Sequence, residues 1–422
     1  MLQTFTLLVV AAATSFLDPA LAGASGGAVR SIQEPLAAPP LAAPPQERAA
    51  AAAQESQAIP RSLSREEAIV SANRAIGYLV TEQNPDGSWG DNAPQLFEEG
   101  YALNSFKAWR MASQALACMA LRTAEETPER RRALDVAVDW LVTTPFPARD
   151  SDWDIDYVWT ALYGTVATIE LLEDPRFAED SRVLERARFF VGVLLSHQAT
   201  SGGWAYYDDP PFTRQPTWAT SFCTALVLPT LARAGAVGVE VPADVIRRAR
   251  RYLDMCVIPG GAYSYDLDPV TRMGGVEHIN RIEGSLGRTQ VGNWCRRLMG
   301  DKRVTDEVLR EGLAAFFREH RYLDHARLRP IPHEGFHANA GYFYFFAHYY
   351  AAKVIALLPE PEQEPLHALL RPQLTKTQRE NGSTSDFLDT QYLINASTAF
   401  MALSLLEGVP KPVAPRPSTS DD

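Results

Sequence analysis

The 422-residue chain has only four cysteines, Cys118, Cys223, Cys256 and Cys295, and no two of them form a C-x-x-C pair. Zinc modules rely on that spacing, so a cysteine-built metal site is excluded. Cys118 and Cys223 fall on apolar helix faces, where a free thiol behaves as a small hydrophobe. Clustered basic residues are also missing. The formal net charge is -11, and a phosphate backbone is bound by grouped Lys and Arg, so nucleic acid is not an expected partner. Beyond the first residues no apolar run is long and charge-free enough to cross a bilayer, and no stable membrane span is expected in the mature protein.

The N-terminus has an apolar run from Phe5 to Ala13, then Ala20, Leu21 and Ala22 before Gly23. This is the A-x-A pattern of a cleaved export signal, although residues 1–6 lack Lys and Arg. Residues 1–22 are read as a signal peptide, with the mature protein periplasmic or extracellular. Residues 23–62, rich in Ala, Pro, Gln and Glu, carry no hydrophobic period and read as a disordered linker. Residues 63–409 are the folded domain, and 410–422, rich in Pro and Ser, a disordered tail.

Within the domain, helical patterns come in pairs. The first helix of each pair is amphipathic. One opens at Ser64, with Glu67 in capping-box position and Ile69, Ala72, Ile76 and Leu79 at helical spacing. Others open near Pro128, Ser181, Pro242, Thr305 and Pro361. The second helix is apolar nearly all round, as in Ala112–Leu121, Tyr157–Leu172, Trp218–Leu231, Gly341–Leu358 and Tyr392–Leu406, which marks a buried element. Glu283–Met299 holds the same place in the order but contains Arg288, Arg296 and Arg297. Six pairs, one set amphipathic and one buried, predict an all-α ring of about six hairpins with outer and inner helices.

The loops share a text: Gln83 to Gly87 and Trp89, Gln198 to Gly202 and Trp204, Gly260-Gly261 to Tyr263, and Gln378 to Gly382. Glycine accepts the left-handed turn that ends a helix, the glutamine amide can satisfy orphaned backbone groups, and the aromatic covers the turn. This repeated text resembles the Gln-Trp repeat of squalene and oxidosqualene cyclases and of protein prenyltransferase beta subunits, over about residues 64–408. The resemblance implies an (α/α)6 toroid whose inner-helix N-termini face a central cavity, and it does not fix the chemistry.

Class II terpene cyclases carry D-x-D-D at the start of an inner helix, with the middle Asp as acid. Asp154-Ile155-Asp156-Tyr157 reproduces D-x-D and ends in Tyr, which puts Asp156 at the family's acid position without its usual partner. Crowded carboxylates raise one another's pKa, while acids at a helix N-terminus also cap it. A second cluster is His333-Glu334-Gly-Phe-His337-Ala-Asn339, followed by Tyr342. Pro332 and Gly335 make it a loop rather than a zinc helix. His337 and Tyr342 can act as base and acid in polysaccharide elimination, or finish an aromatic core.

The candidate catalytic residues are therefore Asp154, Asp156, His337 and Tyr342, and the candidate ligand-binding residues Trp109, Arg110, Trp218, Arg288, His333, Glu334 and Asn339. Aromatics near inner-helix starts, Trp109, Trp159 and Trp218 among them, suit stacking on sugars or lining an isoprenoid pocket. No metal site and no cofactor is expected; the expected ligand is a small molecule, isoprenoid or saccharide, in the central cavity. An open groove with paired polar groups would favour the saccharide, an apolar pocket with an acid the isoprenoid, and a plugged centre a noncatalytic scaffold.

Overall fold

The computed structural model describes residues 62–91, 103–147, 149, 156–206, 215–268, 277–387 and 390–409. The signal segment, the tail and nearly all of the linker lie outside them, as does Asp154. No strand occurs among the described residues, and no helix there is long and apolar enough to cross a membrane.

The outer helices are α1 (Arg65–Thr81), α3 (Pro128–Thr143), α5 (Ser181–Ser196), α7 (Ala243–Cys256), α9 (Asp306–Arg318) and α12 (Glu360–Thr375). They start where proline and hydroxyl residues direct. Ser64 and Glu67 close a reciprocal capping box on α1, Thr127 and Thr305 cap α3 and α9 with their side chains, and Asp180 caps α5. The inner helices are α2 (Leu103–Thr123), α4 (Val158–Leu172), α6 (Ser221–Arg233), α8 (Leu286–Leu298), α11 (Phe343–Ile355) and α13 (Gln391–Leu406), and α10 (Arg321–Ala326) is a short extra turn. In α11 every side chain but Lys353 is buried.

Each inner helix packs on the next, and α13 packs on α2, so the inner set closes into a ring. Each outer helix lies against the inner helix before it, with α1 on α13. Arg288, the residue that set α8 apart, is buried because it donates to the carbonyls of Tyr263 and Ile279 and lies 5.4 Å over the Tyr265 ring. All four cysteines are free and buried.

The repeated loop text is a joint between neighbouring outer helices. Gln83 Nε2 donates to Gly87 O within its own loop and to Ala133 O of α3. Gln198 repeats this with Gly202 O and Val245 O of α7, and Gln378 with Gly382 O and Ser71 O of α1. The last of these closes the ring. The indoles cap the outer helices they follow: Trp89 Nε1 donates to Leu79 O and Trp204 Nε1 to Leu194 O, both at 2.7 Å. In the sixth joint Thr384 stands at the tryptophan position and donates to Thr377 O, and Thr377 Oγ1 donates to Leu374 O, the carbonyl equivalent to those that the indoles cap. At the fourth, Val257 stands where the others have glutamine, and no atom comes within 4 Å of a Cβ built on Gly261. Trp204→Phe removes a fully buried donor, and urea unfolding is expected to show a loss of about 1–3 kcal/mol.

Candidate functional site

The inner helices and the loops that feed their N-termini enclose a cavity of about 370 Å³. Its wall is aromatic. Trp109 of α2 stacks on Tyr392 of α13, with ring centroids 5.8 Å apart, and Trp159 of α4 is stacked between Tyr163 and Tyr206, 5.6 Å from each. Phe343, Phe346 and Phe400 complete the apolar surface.

Two carboxylates interrupt it. Asp156 stands one residue before Tyr157, the N-cap of α4, with φ 62°, a left-handed conformation rare outside glycine. Its Oδ2 accepts from Trp109 Nε1 at 3.1 Å, and burial pushes its pKa up to about 7, against the lowering effect of that bond. Part of its surface stays open, on the cavity wall. Asp386 is more enclosed. Its Oδ1 accepts from Ser397 Oγ at 2.9 Å and its Oδ2 from the Phe345 backbone N–H at 3.2 Å, and burial raises its pKa to about 6.

The third polar feature is His333 with Tyr342, at 2.7 Å between Nε2 and the phenol oxygen. His333 Nδ1 donates to Ala338 O at 2.7 Å, which leaves Nε2 as the acceptor of the phenol proton. Burial lowers the His333 pKa to about 4, so the imidazole is neutral at physiological pH. Tyr342→Phe removes the hydrogen bond that favours this neutral form. An upward shift of the His333 titration by NMR is expected, together with a stability loss of about 1–2 kcal/mol.

The pairing of His337 with Tyr342 does not form. His333, His337 and Ala338 all take positive φ, which folds the loop so that His333 meets the phenol and His337 turns to the Tyr322 ring, 4.6 Å away. The segment is a loop with one short turn, Phe336–Ala338. Glu334 lies beside Arg329, and Asn339 donates to the carbonyls of Glu283 and Phe336. Arg110 serves the first loop, donating to Ser88 Oγ and Trp89 O, and Arg288 and Trp218 stand behind the wall, the latter donating to Asp266. Of the sequence candidates, Trp109, Asp156, His333 and Tyr342 share the cavity. Tyr157, which replaces the last Asp of the motif, bonds His197. Among the described residues no three His, Cys, Asp or Glu side chains gather as a metal site requires.

Asp386 and Tyr206 were not among the candidates, and a positional signal leads to them. Each stands four residues after its loop glycine, Gly382 or Gly202, as Tyr265 does after Gly261. In the Gly202 and Gly382 loops that position lies on the cavity wall.

No protein-family model matches the chain, and no curated protein matches it. Among solved structures, the GH76A alpha-1,6-mannanase from Salegentibacter sp. HEL1_6 is similar, with a TM-score of 0.50 and 12% identity over 81% of this chain and 100% of that one. The fold is an α/α toroid. The type II terpene cyclase MstE from Scytonema, in complex with geranylgeranyl dihydroxybenzoate, gives a TM-score of 0.46 and 15% identity over 81% of this chain and 97% of that one. At these identities the likeness extends to the toroid and no further.

Proposed function

We propose that this protein binds a linear isoprenoid in the central cavity and that Asp156 is the acid that protonates one of its double bonds. The observation that carries the reading is a carboxyl with a pKa of about 7 set in an aromatic wall. At neutral pH a large fraction of it holds its proton, as a general acid must.

A saccharide fits less well. Each buried sugar hydroxyl needs a partner, and most polar groups on the wall are already occupied. Asp386 and Ser397 bond each other, Ser113 Oγ donates to Tyr392 O, and Tyr342 donates to His333. Asp156 keeps open surface toward the cavity.

In the proposed step the Asp156 O–H bond breaks, the alkene π electrons form the new C–H bond, and a tertiary carbocation and a carboxylate result. The faces of Trp109, Trp159 and Tyr206 stabilise the cation through their ring quadrupoles. Tyr342 then takes a proton from the carbon beside the cation and passes its own to the neutral His333 Nε2, restoring a double bond. The reading includes export, carried by Phe5–Ala13 and Ala20–Gly23.

The test is incubation of purified protein with geranylgeraniol in D2O, followed by mass spectrometry. The expected product is an isomer carrying one deuterium on carbon. Tight binding without a labelled product would leave a binding toroid, and no binding at all would overturn the reading.

A further inference from the structure

One stripe of α4 faces the axis of the ring: Trp159, Tyr163, Val166 and Glu170, at helical spacing. Trp159 lines the cavity described above. Val166 and Glu170 line a second cavity, of about 350 Å³, toward the C-terminal ends of the inner helices. Tyr163 lines both. Its ring, stacked on Trp159 and edge-on to Phe400 with centroids 5.9 Å apart, stands as the partition between them. Its hydroxyl makes no hydrogen bond to any described residue, although the side chain is only 8% exposed. The hydroxyl is therefore open to cavity space rather than sealed in the core.

The far cavity has apolar walls where it meets Tyr163, including Met119, Leu226 and Trp294. Its charges are paired: Lys353 with Glu407 at 2.8 Å, and Arg233 with Glu173 at 2.6 Å and Glu170 at 4.0 Å. The end beside Tyr163 can take the tip of a hydrocarbon chain, with the paired charges lying beyond it. From Trp159 to Glu170 the stripe spans about 16 Å at 1.5 Å per residue, nearly three times the reach of about 6 Å to Tyr163.

We infer that Tyr163 sets the length of the chain this protein accepts, and that the far cavity is an extension subsite for a hydrocarbon tail, closed off by the Tyr163 ring. The inference rests on the isoprenoid reading above and concerns selectivity among isoprenoids. Tyr163 is a specificity-determining residue and takes no part in proton transfer.

The experiment is a binding series on the full chain with geraniol, farnesol and geranylgeraniol, one isoprene unit apart, followed by quenching of tryptophan fluorescence. In the wild type, affinity is expected to rise with length and then level off once the near cavity is full. In Tyr163→Ala the rise continues, and the longest alcohol gains at least roughly tenfold over wild type, a small part of what burying five more carbons supplies. Tyr163→Leu, which removes less of the wall, gives an intermediate gain and serves if the alanine variant does not fold. Tyr163→Phe keeps the wild-type plateau. Adding Val166→Phe to Tyr163→Ala refills the far cavity and restores the plateau. A folded Tyr163→Ala or Tyr163→Leu variant with the wild-type plateau would overturn the inference, as would a gain that Val166→Phe leaves intact. If the wild type binds none of the three alcohols, the isoprenoid reading itself fails and this inference falls with it.

Discussion

Asp156→Asn is expected to remove acid-initiated turnover while making the fold more stable above neutral pH. Asparagine keeps an oxygen to accept from Trp109 Nε1 and has no proton to give. General acids contribute about a hundred- to ten-thousandfold to rate, and a loss of at least that lower figure is expected in the deuterium assay. The stability effect follows from the raised pKa. Folded Asp156 titrates at about 7 against an ordinary value of 3.8, so the folded state holds the proton more tightly than the unfolded one. That contribution is fully present below pH 3.8 and is lost as pH rises through 7. The ionised carboxylate then costs the fold up to about 4 kcal/mol, an upper bound because its open surface admits water. The amide has no such cost. Urea unfolding at pH 5 and pH 8 should show the variant's advantage growing with pH, and an advantage that does not change with pH would sink the assignment.

Gly382→Ala is expected to give a large stability loss for a single added methyl. Gly382 has φ +92°, and a Cβ there would sit 2.2 Å from Arg74 O of α1. It lies at the seam where the last outer helix meets the first. Arg74 donates across that seam to the carbonyls of Arg379 and Glu380, and Gln378 donates to Ser71 O. A methyl group has to push these backbones apart. A loss of about 3 kcal/mol or more is expected from strain and broken hydrogen bonds together, seen as a midpoint lowered by about 5 °C or more in thermal denaturation. Gly261→Ala is the control. Its φ is +82° but no atom lies within 4 Å of the added carbon, so it bears only the left-handed backbone penalty of about 1–2 kcal/mol. Equal losses for the two would show that the seam is not what holds Gly382.

The outer helices were legible because their starts are chemical: Ser64, Thr127, Asp180 and Thr305 accept from the orphaned N–H groups of the first turn. The start of α2 was not. The pattern placed it at Ala112, whereas the helix begins at Leu103. The polar residues Asn104, Ser105 and Lys107 fall in its first turns, yet Ser105 is buried in the ring and Arg110 is turned toward Trp89 O. Tertiary context overrode local polarity there. In the site, Asp156 was legible through its place before an inner helix. Choosing between His333 and His337 was not possible from letters, because both precede Tyr342 and the choice depends on successive left-handed residues in the loop. Asp386 was hidden for another reason: its loop has exchanged tryptophan for Thr384, and only the register from Gly382 still identifies it.

The joint formed by Gln378 and Ser71 has the same chemistry as those formed by Gln83 with Ala133 and Gln198 with Val245. The difference is that a polypeptide runs across the latter two and not across the first, where Leu63 N donates to Ala368 O, more than three hundred residues away. The molecule is thus cyclic in its contacts and linear only in its covalent order. A circular permutant opened at another loop is expected to keep the contacts between helices. The cost of this geometry is temporal: the first hairpin lacks its second neighbour until the last one leaves the ribosome, so the ring is closed in a single late step.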